Sequence, residues 1–127
     1  MKALTVRQPF ASLIQRGLKT MEYRNWTTAH RGPLAIHAGR AVPCEIEWDY
    51  LRAHFPKAND WELGAWLSHL PRGRVLCTVD LVDVVELPSD HYGRKWGRFG
   101  WVLANVVDVE RKAHAIGKLG LWEWAGA

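Results

Sequence analysis

The sequence predicts an α+β fold: a small mixed β-barrel of about five to six strands, with a short N-terminal helix and a helical insert at 43–70. Three observations carry that expectation. Short strand-like runs recur through the chain, at 3–6, 20–26, 33–38, 74–87, 99–109 and 119–124, the fourth rich in β-branched residues. Two helix-period stripes fall together between the third and fourth of these runs. The run "RVLCTVDLVDVVEL" (74–87) is too long for a flat strand, and its alternation slips.

The elements follow in order. "ALTV" (3–6) reads as a first strand, and "QPFASLIQRG" as a short helix with Pro9 in its first turn and Gly17 just past its end. Phe10, Leu13 and Ile14 share one face of that helix. "TMEYRNW" alternates, with Met21 and Tyr23 on one side and Thr20, Glu22, Arg24 and Trp26 on the other. "PLAIHA" (33–38) is a further strand. Cys44, Trp48, Leu51 and Phe55 form one helical stripe; Leu63, Trp66, Leu67 and Leu70 form a second, with Asp60 its expected N-cap. In 74–87 the order Val75, Cys77, Val79, Leu81 gives way to Val82 and Val84 about Asp83, which predicts a bulge or bend near 82. "FGWVLANVVDV" (99–109) and "LGLWEW" (119–124) complete the strands.

A chain of 127 residues with 48% apolar content suffices for one domain with one core, spanning 1–127. No apolar run is long enough to span a membrane, and no charged leader with a cleavage site precedes the first strand. Cys44 and Cys77 stand far apart with no metal-ligand spacing, which argues against a disulfide framework or zinc and for a reducing cytoplasm. Charge is segregated. The net charge is +4, yet residues 1–40 hold seven basic side chains and one acid, Glu22. Arg94, Lys95 and Arg98 surround Trp96, whereas 45–62 lean acidic. One positive face that attracts a polyanion is the expectation.

Several chemistries are excluded by their missing motifs. There is no GxxxxGK[ST] loop, GxGxxG or HExxH, and "VPCEIE" lacks the rest of a zinc-deaminase signature. The six histidines are scattered singly. What remains is "GLKTMEYRNW" (17–26), which gathers Lys19, Glu22 and Arg24. On spacing alone an exposed ion pair worth about 0–1 kcal/mol is the simpler reading. The aromatic context favours a site instead. Of eight tryptophans, Trp26 and Trp96 sit among cations, the usual platform for stacking unpaired bases. There an Arg and a Lys could hold phosphate while a carboxylate accepts from a base amino group.

These residues resemble the ASCH family, small domains of the PUA-like group. Gly17, Lys19, Glu22 and Arg24 match GxKxxExR; "LTVRQPFASLI" is similar to the family's "QPWASLI" segment, with Phe10 for the commoner tryptophan. "NWTTAHRGPLAIHAG" and "GKLGLW" are similar to further family segments, leaving 43–70 as the part that looks like an insert. The resemblance implies a PUA-like barrel whose cleft is lined by GxKxxExR and binds RNA, single-stranded nucleic acid or a nucleoside, including a modified nucleotide; from the missing motifs, no cofactor and no metal are expected. Lys19 and Arg24 would contact phosphate or a base carbonyl, Glu22 would accept from an exocyclic amine or orient Arg24, and Trp26 would stack. Arg7, Gln8, Arg31 and His37 would edge the pocket. Two enzymatic alternatives attach to the same residues: an amidohydrolase acting on N4-acylated cytidine nucleosides, and a ribonuclease. The family's hydrolase threonine falls on Glu22 here, and Thr20, one residue from Lys19, would project to the strand face opposite that lysine. A third reading makes the helical insert, with Trp48, Trp61 and Trp66, a protein-interaction surface.

Overall fold

The computed structural model describes residues 1–110 and 113–126. Six strands form one sheet: β1 (Lys2–Val6), β2 (Met21–Arg24), β3 (Gly32–Ala38), β4 (Arg74–Glu86), β5 (Phe99–Asp108) and β6 (Leu121–Glu123). Three α-helices accompany them: α1 (Phe10–Gln15), α2 (Glu45–His54) and α3 (Asp60–Ser68). A 3₁₀ turn at Tyr92–Lys95, which the sequence pattern does not signal, leads into β5. The strand order is β2-β5-β4-β3-β1-β6, curled into a half-barrel; β1 and β3 run parallel and every other pair is antiparallel. The expected small α+β, PUA-like barrel is what forms.

The curl has a local cause. Pairing between β4 and β5 shifts register between Leu81 and Asp83, so Val82 is the extra residue of the bulge predicted there. Below it β4 pairs with β3; beyond it β4 holds only β5. A second shift follows Thr78, where Asn105 takes φ 54° and donates from its amide to Asp80 Oδ2 at 2.8 Å. Asparagine is among the few side chains that enter this region readily.

The concave side of the sheet is filled by Leu4, Val6, Leu34, Ile36, Leu81 and Trp101, with Leu13 and Ile14 of α1 packed on them. Each such aliphatic side chain contributes about 1.5–3 kcal/mol relative to exposure. α1 ends as Gly17 predicts. At φ +72°, Gly17 donates to the Ile14 carbonyl at 3.0 Å, while Leu18 donates to the Leu13 carbonyl at 2.9 Å. This double C-terminal bond satisfies two orphan carbonyls and reverses the chain toward β2.

The helical stretch departs from expectation in three places. Asn59, not Asp60, caps α3: its side chain accepts from the Glu62 amide at 2.8 Å, and Glu62 returns the bond. On α2 the buried face carries Tyr50 and Glu47 beside Leu51, while Cys44 is exposed. The three tryptophans split. Trp48 and Trp66 pack against the core, and Trp61 alone is 81% exposed.

Candidate functional site

The reversal after Gly17 delivers Lys19 beneath the sheet. Its backbone amide also bonds the Leu13 carbonyl, at 3.1 Å. β2 then pairs Glu22 opposite Trp101 and Arg24 opposite Phe99. Glu22 therefore points into the half-barrel with the buried Trp101, and Lys19 Nζ meets its Oε1 at 2.9 Å. Lys19 also donates to the Met21 carbonyl and lies over the rings of Phe10, 5.2 Å away, and Tyr23, 4.7 Å away. Arg24 places Nε at 3.1 Å and Nη2 at 2.9 Å from Glu22 Oε2.

Arg24 does one thing more. Its Nη2 donates to the Thr5 carbonyl at 2.8 Å. β2 is one edge strand of the sheet and β1 lies next to the opposite edge, so this bond ties the two sides of the half-barrel across its mouth. Nη1 has no hydrogen-bond partner among the described residues, and the side chain remains 23% exposed. Arg24 thus closes the barrel and presents a free donor at its mouth.

Burial opposes charge on Glu22, yet the adjacent Lys19 and Arg24 outweigh it and hold the carboxyl below its ordinary range. Burial dominates for Lys19: desolvation depresses the ammonium's pKa, Glu22 offsets part of this, and Arg24 adds to the depression. The carboxylate accepts three N–H bonds of its roughly four lone-pair directions, leaving capacity for one further donor.

Above the triad opens a cleft of about 500 Å³, lined by Glu22, Arg24, Trp26, Trp96, Arg7 and Lys95 among others. One wall comes from α2. Arg7 Nε lies 2.5 Å from the buried Glu47 carboxylate, and Arg7 Nη2 donates to the Val42 carbonyl at 2.9 Å. Cys44 Sγ sits 2.7 Å from the other Glu47 oxygen. Lys95 approaches Asp49 at 3.5 Å, and Trp96 Nε1 donates to the Ile46 carbonyl at 3.4 Å. The helical stretch therefore builds part of the cleft. Sequence reasoning missed Glu47, Ile46 and Lys95 as wall residues; the one available signal was the acidic lean of 45–62 facing the basic first third.

The sequence-predicted residues separate into three groups. Glu22, Arg24, Trp26 and Arg7 line the cleft, with Trp26 packed edge-on against Trp101, ring centres 4.8 Å apart. Lys19 lies under the carboxylate and outside the lining. Gln8 and Arg31 lie elsewhere. Gln8 is buried, bonding Ser12 Oγ at 2.8 Å and the Pro71 carbonyl at 2.7 Å. Arg31 is exposed and donates to the carbonyls of Thr28 and His30. His37 lines a neighbouring cleft of about 470 Å³ that shares Thr5 and Arg24 with the first. Its Nε2 donates to the Ala115 carbonyl at 2.7 Å, which fixes Nδ1 as acceptor for the Thr5 hydroxyl at 3.2 Å; that hydroxyl in turn accepts from Trp122 Nε1 at 3.1 Å. Burial, together with Arg40, keeps the imidazole's pKa low despite the bond to Ala115. Thr20 is exposed and lines neither cleft.

A half-barrel closed by a lysine–glutamate–arginine cluster defines the class: the ASCH domain family matches residues 4–114, and the chain belongs to it. Activating signal cointegrator 1 of Homo sapiens is 40% identical over 85 residues, and its Mus musculus counterpart 39%. Those matches cover 65% of this chain and 14% of each relative, so the chain spans a small fraction of their length. Among the described residues no three His, Cys, Asp or Glu side chains gather as metal ligands, and no helix is long and apolar enough to cross a membrane.

Proposed function

We propose that this chain is a single ASCH domain, with 43–70 as an insert, that binds RNA or another single-stranded nucleic acid. One unstacked nucleotide, modified or not, occupies the cleft between Trp26 and Trp96. The observation that carries the reading is the free Arg24 Nη1 at the mouth of a barrel whose floor is a charged, partly unsatisfied Glu22 carboxylate. Arg24 donates to a phosphate or base carbonyl. Glu22 accepts from an exocyclic amine with its remaining lone-pair direction. Lys19 acts indirectly, holding Glu22 ionised and oriented.

The site favours binding over hydrolysis. A lysine acting as base needs a neutral amine free to reach substrate, whereas Lys19 Nζ donates to Glu22 and Met21 beneath the lining. Thr20 stands outside the cleft and supplies no nucleophile there. The two free cysteines fit a reducing cytoplasm, where we place the protein.

Fluorescence anisotropy of a labelled single-stranded RNA tests the reading across a salt series. Wild type binds with affinity that falls as salt rises, since phosphate contacts release counterions. Trp26→Ala weakens binding by about 1–3 kcal/mol, the value of one stacked base. Salt-independent binding, or affinity indifferent to both Trp26→Ala and Arg24→Ala, would sink the proposal. Release of free cytidine from an N4-acetylcytidine substrate, abolished by Lys19→Ala, would establish the amidohydrolase instead.

A further inference from the structure

The second cleft is unlike the first. Its floor is Thr5 and His37, and its outer wall is the loop 116–120. Gly117 makes the approach possible: a Cβ there would stand 2.4 Å from Thr5 Oγ1 and 2.9 Å from the His37 ring. Two cations, Arg40 and Lys118, line it beside Arg24, and two aliphatic side chains flank it, Ile116 at 83% and Leu119 at 99% exposure.

The cations continue past the rim. Arg40 Nη2 lies 3.2 Å from His114 Nδ1, and Arg74 Nη2 lies 3.1 Å from His114 Nε2. A neutral imidazole has one acceptor nitrogen, so it satisfies one of the two guanidiniums and leaves the other's donor open. Among the described residues the Arg72 guanidinium reaches only the Arg40 carbonyl, at 3.5 Å. Among the described residues none of Arg40, Arg72, Arg74 and Lys118 has a carboxylate partner. Several cations elsewhere are paired, as Arg52 is with Glu45 and Asp60 and Arg98 is with Glu86, and others that are not, such as Arg16 and Lys57, stand singly in the sequence. An acid-free run of guanidinium and ammonium groups with under-used donors is suited to successive phosphates.

We propose that this second cleft and its rim form a phosphate track for single-stranded nucleic acid, continuous with the first cleft through Arg24. The strand crosses at Arg24. One base enters between Trp26 and Trp96, and the adjoining backbone runs over Lys118 and Arg40 toward Arg74 and Arg72. Ile116 and Leu119 cover a neighbouring sugar or base. This track rests on the nucleic-acid reading above and assigns it a direction across the surface.

The test uses a labelled oligouridylate of about eight nucleotides, within the usual site size of a small barrel, titrated at several salt concentrations. Arg40→Ala/Lys118→Ala should bind about tenfold more weakly with a salt slope shallower by about 1.4, since each single-strand phosphate contact contributes about 0.7. Trp26→Ala should weaken binding with the slope unchanged. Arg72→Ala, at an exposed side chain, is a second track variant and should lower the slope by about 0.7 on the same basis. Wild-type slope and affinity in both track variants, with Trp26→Ala still weakened, would overturn the track and leave the first cleft standing. No binding by wild type would remove both.

Discussion

The ammonium of Lys19 lies 2.9 Å from Oε1 of Glu22, with both side chains almost wholly withdrawn from solvent. Such a pair is not a source of net stability in itself, because desolvation of two ions offsets their attraction. What it does is set the position of Arg24. The carboxylate, pinned on one oxygen by Lys19, presents the other to Nε and Nη2 of Arg24, and the guanidinium then reaches Thr5 across the barrel mouth.

Removing one charge from this cluster should therefore cost more than its surface counterparts. Glu22→Gln leaves Lys19 buried beside Arg24 without a counter-charge and should destabilise by about 3–5 kcal/mol. Lys19→Met should cost less, because Arg24 still neutralises Glu22. Urea unfolding of both variants and of the double variant reads the order. Equal losses would overturn this order, and a double variant equal to the sum of the two would show that the pair is not coupled.

The same cluster predicts a pH dependence with two arms. Glu22 titrates below its ordinary 4.5, so it contributes stability that is present above that value and lost as pH falls through its folded value. Lys19 titrates below its ordinary 10.5, so the unfolded chain binds more protons than the folded one between its folded value and 10.5, and stability rises with pH across that interval. Tyrosines oppose this at the alkaline end. Tyr50 is pushed up to about 12, first by burial and then by Tyr92 and Glu22, and Tyr23 is raised by burial and its bond to Tyr92. Both lose stability as pH climbs above 10. Thermal melts below pH 10 isolate the lysine arm, which should vanish in Lys19→Met.

Much of this arrangement was legible in the sequence because it is local. Gly17 and Pro9 bracket α1, the slip at Val82 marks the bulge that curls the sheet, and period 2 puts Glu22 and Arg24 on one face. What distance along the chain conceals was not legible. Arg24 meeting Thr5, α2 walling the cleft through Glu47, and the tryptophans dividing between core and solvent all depend on contacts between separate elements. Nor does spacing state depth: Lys19 precedes Glu22 by three residues whether it lines a cleft or lies beneath it.

Glu47 is where the helical stretch is fastened. Its carboxylate holds Arg7 on one oxygen and Cys44 on the other. Glu47→Ala should loosen the 41–47 segment and the first turn of α2 while leaving the sheet intact. Hydrogen exchange should accelerate in α2 with little change in β3 and β4, and RNA affinity should fall as the wall recedes. Exchange at the wild-type rate throughout would mean that Tyr50 and Leu51 alone anchor the helix.

Two glycines beside the site are required for different reasons, and substitution separates them. Gly17 sits at φ +72° with nothing near its missing Cβ. Gly17→Ala should cost about 1–2 kcal/mol through backbone strain alone, and Gly17→Asn should recover part of that, since asparagine also ends helices in this way. Neither should change RNA affinity once folded. At Gly97 the obstacle is space: a Cβ would stand 2.5–2.8 Å from the backbone N, C and O of Arg24. No side chain can swing aside there, so β2 itself must move. Gly97→Ala should cost about 1–3 kcal/mol as an overpacked site, and it should also displace the Arg24 guanidinium from Thr5. Binding of single-stranded RNA by fully folded Gly97→Ala should therefore be weaker than by Gly17→Ala. Equal affinities in the two variants would detach the position of Arg24 from recognition.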